Sequence, residues 1–154
     1  MENRELHRCT AEKPDWLVRF IDTYQGLSIN NLDSLDMVYH QDIFFQDPLH
    51  HVQGYQALQH YFSQLYTNLS ACEFIVKHTI CHDNEAAIYW TMRFCHRQLK
   101  GGQEIEVSGH SLLKECEQRV VYHRDYLDVG EMLYEHLPVV GSLIRYVKKQ
   151  AATS

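Results

Sequence analysis

Apolar residues return every three or four positions from Trp16 to Leu27, as Trp16, Leu17, Phe20, Ile21, Tyr24 and Leu27. A 3.6-residue period gathers them onto one stripe of a helix, opened by Pro14-Asp15 and broken by Asn30-Asn31. Leu32 to Tyr39 repeats the pattern at positions 32, 35, 38 and 39, which predicts a short second helix capped near Asn31. Asp42 to Gln46 then reads as a short strand ended by Asp47-Pro48. Beyond Gly54, the stripe Leu58, Tyr61, Phe62, Leu65, Tyr66 and Leu69 predicts a helix over 55–69.

The pattern changes at residue 72. The stretches 72–82, 85–99, 104–116 and 119–128 are rich in Val, Ile, Tyr, Phe and Thr, and the turn compositions HDNE, KGGQ and CEQ separate them. Four strands joined by short turns make an antiparallel meander. EMLYEHL then supplies one or two helical turns, Pro138 and Gly141 interrupt, and a last amphipathic helix runs from about Ser142 to Gln150. Helices first and sheet second imply an α+β fold with segregated layers. The expected shape is a cone-shaped α+β barrel, its N-terminal helices packed on a strongly curved, mostly antiparallel sheet. The concave face would line an apolar hollow. No linker or repeat divides the chain, so residues 1–154 form one domain, with a loose tail over 1–12 and a C-terminal amphipathic segment over 138–154.

Composition narrows the function. The net charge of -6, histidines neutral, lacks the basic excess that a phosphate-backbone binder needs, so no nucleic-acid partner is expected. Five cysteines without a CxxC pair point to reduced thiols and a cytoplasmic protein. No signal-like or membrane-spanning apolar run is present. The eleven histidines include no HExxH or H-x-H, so no metal is expected, and no glycine-rich fingerprint suggests a nucleotide or flavin cofactor.

Four stretches in order, "NNLDSL", "DIFFQDP", "GYQALQHYF" and "NEAAIYWTMRF", resemble the nuclear-transport-factor-2-like, or SnoaL-like, superfamily, and within it ketosteroid isomerase. The resemblance covers most of residues 16–127. It implies that Asp47 stands where the isomerase has its proton-shuttling Asp. It also implies that Trp90, Met92 and Phe94 form the apolar pocket wall, and that His110 stands where the isomerase has an oxyanion-donating Asp. The isomerase's oxyanion Tyr falls at Thr23, with Tyr24 beside it. Alternation on the last strand sets His123, Asp125 and Leu127 on one face, aligned with pocket positions, and Tyr122, Arg124 and Tyr126 on the other. Asp125 is an addition to the isomerase pattern. SnoaL-type polyketide cyclases resemble the chain here, since a late Asp serves them as acid/base.

The expected catalytic residues are therefore Asp47, His110 and Asp125. Tyr24, Phe44, Trp90, Met92, Phe94, Leu112, His123 and Leu127 are the expected lining. Each has a plainer alternative: Asp47 as a turn-former accepting from backbone N–H groups, and His110 and Asp125 as a satisfied polar pair. The functional expectation is acid/base chemistry (isomerase, cyclase or dehydratase-like) on a small hydrophobic carbonyl compound. The alternatives are non-catalytic binding of a lipid-like or aromatic ligand, and an interaction module that forms a homodimer through the outer sheet face. The C-terminal helix is expected to pack on its own domain or a dimer mate, with contact to a membrane surface the less favoured reading.

Overall fold

The computed structural model describes residues 12–152, so the expected tail lies almost wholly outside them. Helix α1 spans Asp15–Gln25 and buries all five members of its expected stripe from Trp16 to Tyr24. The second helix is a 3-10 turn over Leu32–Met37, and strand β1 (Tyr39–Gln46) starts earlier than expected. Tyr39 is the reason: its ring is fully buried and its backbone pairs with Val120, so the apolar residue that extended the helical pattern is the first residue of the sheet. A short strand not expected from the pattern, β2 (His51–Gln53), pairs back on β1. Helix α2 covers Tyr55–Thr67 and turns Tyr55, Leu58 and Phe62 to the interior.

The meander is present as β3 (Leu69–His82), β4 (Glu85–His96), β5 (Glu104–Cys116) and β6 (Arg119–Leu127). The sheet has six strands in the order β2-β1-β6-β5-β4-β3. All neighbours are antiparallel except β1 and β6, which run parallel. Four register shifts, two of them between β3 and β4, interrupt three of the strand pairings. Such irregularities bend strands, so the sheet curls round the helices without closing. Its concave face carries Ile43, Phe45, Ile88, Trp90, Phe94, Ile105, Val107 and Leu113, all buried against the helices.

One glycine makes room for this face. Gly109 lies opposite Trp90, and a Cβ there would sit 2.4 Å from the indole and 2.7 Å from the Tyr126 carbonyl oxygen. The chain ends in α3 (Val129–Met132), a 3-10 turn over Tyr134–His136, and α4 (Val140–Ala152).

Helix α4 is mounted with its polar side inward. Lys148 reaches Asp128 at 3.1 Å and Glu135 at 2.5 Å, and Arg145 donates to the Glu135 carbonyl at 2.8 Å. Val139 (82% exposed), Leu143 (62%) and Val147 are left facing solvent. The expected packing of this stripe on the domain is therefore not what the fold does: ion pairs hold the helix, not burial. Among the described residues no helix is long and apolar enough to cross a membrane.

Candidate active site

A cavity of about 420 Å³ opens between the helices and the concave sheet face. Its walls are Phe45, Phe62, Phe74, Trp90, Met92 and Phe94, with Met132 and Leu133 from the segment after β6. Two carboxylates enter this apolar surround, Asp47 and Asp125. A second hollow, between the 3-10 turn over Leu32–Met37 and α2, is open and mostly polar, set among Asn30, Asp33, Gln56 and Gln59.

Asp47 ends β1. Pro48 has no N–H, so the next two amides turn back: Oδ1 accepts from the backbone N–H of Leu49 and of His50, each at 2.7 Å. Oδ2 accepts the hydroxyl of Tyr61 from α2. The turn-forming reading and the cavity reading of Asp47 both describe its position. Burial and the bond to Asp47 push the Tyr61 phenol well above the usual tyrosine range.

Asp125 sits on β6, with 16% of its side chain exposed. Two chains of donors converge on its Oδ1. In one, Trp90 Nε1 donates to Ser111 Oγ (2.8 Å) and Ser111 donates on to Asp125 (2.5 Å). The direction is fixed because an indole nitrogen only donates. In the other, His123 Nε2 lies 2.8 Å from the same oxygen, Tyr39 lies 2.6 Å from His123 Nδ1, and Tyr24 lies 2.7 Å from Tyr39. His123 thus bridges Asp125 and Tyr39 through its two ring nitrogens. The arm is dry, with His123 1% exposed and Tyr39 0%. Burial raises both phenols, Tyr24 and Tyr39, well above their ordinary value.

The structure thus brings Asp47, Asp125, Tyr24, Trp90, Met92, Phe94 and Leu127 to one cavity, with His123 directly behind Asp125. Three expected residues stand elsewhere. His110 is on the convex face, stacked between Tyr126 (4.8 Å) and Tyr89 (5.4 Å). Leu112 shares that face, because β5 buries Ile105, Val107, Ser111 and Leu113 on the other. Phe44 also points outward, stacking on Tyr122, while Phe45 fills the inner position. Ser111, Tyr61, Phe45 and Tyr39 are the residues that sequence reasoning missed. Phe45 and Tyr61 had a signal, the first alternating in phase with Ile43 and the second lying on the apolar stripe of α2.

Cys72 also lines the cavity, and burial raises its thiol, which keeps it protonated and a poor nucleophile. Among the described residues no three His, Cys, Asp or Glu side chains are grouped to hold a metal ion.

With this geometry in view, comparison with known proteins is decisive on one point. A model of the SnoaL-like domain matches residues 17–123. The chain belongs to the SnoaL-like family. Solved structures agree on the fold. A ntf2-like protein of unknown function from Burkholderia pseudomallei superposes with a TM-score of 0.70 at 12% identity, covering 79% of this chain and 96% of that one. A putative SnoaL-like polyketide cyclase from Shewanella putrefaciens CN-32 gives 0.67 at 16% identity, covering 79% and 95%. An M. tuberculosis LEH-like epoxide hydrolase gives 0.63 at 14% identity, covering 84% and 92%. No curated protein matches the sequence. In this SnoaL-like chain the family match stops at His123, so Asp125 and everything after it lie beyond the matched span.

Proposed function

We propose that this SnoaL-like chain performs acid/base chemistry on a small hydrophobic carbonyl compound, with Asp125 as the group that moves the proton. The observation that carries the reading is the asymmetry of the two carboxylates. Asp47 has three protein donors spread over both oxygens, so both are already engaged within the protein. The donors described for Asp125 converge on Oδ1, so Oδ2 is the oxygen left to meet a bound molecule. A proton α to a carbonyl would pass to Oδ2, and the electron pair to the carbonyl oxygen as an enolate. Tyr24, Tyr61 and Tyr66 line the cavity, and burial keeps all three phenols protonated, so the wall offers hydroxyl donors and no phenolate. Asp47 holds Tyr61 in place. His110, on the convex face, takes no part.

Support comes also from the family, in which proteins with this fold include a putative polyketide cyclase and an epoxide-hydrolase-like protein. The second reading is a carrier of a lipid-like or aromatic ligand, favoured by the near-continuous apolar wall. The convex face, where Tyr89, Tyr126 and Ile80 are exposed, is the proposed homodimer surface.

The test is α-proton exchange of 2-tetralone in D2O, followed by NMR. The protein should accelerate exchange, and Asp125→Asn should lower the rate on the order of 10²-fold or more while His110→Ala leaves it unchanged. Exchange no faster than in buffer would leave only the carrier reading.

A further inference from the structure

The cavity's charge balance says more about its occupant than its volume does. Among the described residues no Lys or Arg lines it, while two carboxylates do. Its other polar groups are hydroxyls, amides, a thiol and the imidazoles of His50 and His96. An anionic molecule would enter a space with no cation to meet it and two like charges to oppose it. A neutral molecule lacking an O–H or N–H would offer Asp125 Oδ2 no donor in an apolar surround.

The walls favour the opposite sign. Trp90 packs on Phe74 (centroids 4.7 Å), Phe74 on Tyr24 (5.5 Å) and Tyr24 on Phe62 (6.2 Å), so four aromatic rings form one connected band. All four line the cavity beside Asp125. Aromatic rings attract organic cations through their quadrupoles, and the attraction grows when water is excluded. His123 meets Asp125 through Oδ1 and does not line the cavity, so Oδ2 keeps no described protein partner.

We infer that the molecule this cavity takes carries a positively charged nitrogen: a protonated or quaternary amine on an apolar body, its charge set against Asp125 Oδ2 and the Trp90–Phe74–Tyr24–Phe62 band. This rests on the reading of the cavity as the ligand site and names the chemical class of that ligand. The class remains compatible with proton abstraction, since an ammonium group near a carbonyl acidifies the α-carbon.

The experiment compares two probes of one shape, choline and its uncharged isostere 3,3-dimethylbutan-1-ol. Each is titrated into the isotopically labelled full chain at pH 8, where histidine charge contributes little, and followed by amide shifts. Choline should bind at least tenfold more tightly, with shifts at the indole N–H of Trp90. Asp125→Asn should bring the two affinities within about twofold, and Asp47→Asn should change the ratio less, because Asp47 already has three donors. Equal binding of the two probes, or tighter binding of the alcohol, overturns the inference while leaving an apolar ligand cavity intact. Shifts from neither probe overturn it together with the cavity reading. The comparison within the unmodified protein stands whether or not the Asn variants fold.

Discussion

Both oxygens of Asp47 accept hydrogen bonds from the protein itself, and the strongest local consequence falls on Tyr61. Tyr61→Phe removes the donor to Oδ2 without opening space, and should cost about 1–2 kcal/mol in urea unfolding, the worth of a part-buried bond to a charged acceptor. A value near zero would mean that solvent already supplies that oxygen. The tyrosines also set an alkaline limit. Burial raises the phenols of Tyr24, Tyr39, Tyr61 and Tyr66 above their ordinary value, so the folded state holds these protons more tightly than the unfolded chain. Their contribution is complete below a pH of about 10 and is lost as the pH climbs through the raised folded values. Absorbance at 295 nm should show the exposed tyrosines ionising first and these four only as circular dichroism reports unfolding. Ionisation of all ten tyrosines with the dichroism intact would contradict this. At this scale the sequence exposed Asp47 and Asp125 clearly, since Asp-Pro after aromatics and an acid in phase with Leu127 are both visible. Ser111 gave no sign of itself, because a small polar residue looks the same at an inner position as at an outer one.

Elements were legible where one period ran long. Helices α1 and α2 and the four strands of the meander follow from spacing alone, with ends within a few residues. What failed was parity, at two places where neighbouring residues are equally apolar. In Phe44-Phe45 and Leu112-Leu113 either member fits the interior, and the inner choice is settled by pairing with distant strands: β1 with β6 and β5 with β4. Taking the wrong phase on β5 set His110 in the cavity, whereas register sets it in an outer row with Tyr89 and Tyr126. Gly109 belongs to the same argument. It is an inward position without a side chain, and the Trp90 indole occupies the space that a methyl group would need. Gly109→Ala should destabilise the fold by about 2–3 kcal/mol, the range for overpacking a filled core. It should also shift Trp90 emission, because the indole must move off Ser111. An Ala variant of unchanged stability would show that β5 can move aside.

For the whole molecule, the unexpected feature is α4, whose amphipathic pattern predicted burial and whose apolar stripe faces water. Periodicity reports that a helix has two sides but not which side the body takes; here Asp128 and Glu135 recruit the cationic side. Replacing Leu143 and Val147 together by Ser should therefore change stability by no more than about 0.5 kcal/mol, as at other exposed sites. A cost of several kcal/mol would mean that the stripe is covered. Lys148→Ala should also be mild in the same unfolding measurement, since the half-exposed ammonium keeps much of its hydration.

The parallel seam between β1 and β6 has a consequence for synthesis. Chains emerge from the ribosome N-terminus first. β1 therefore appears with β2 along one side and nothing along the other until Arg119–Leu127 has been made. A nascent chain halted before that point presents a bare strand edge of the kind that recruits chaperones or other chains. The strand that covers this edge is also the one bearing Asp125, so the acid and the complete six-stranded sheet arrive together, and no shorter translation product holds both.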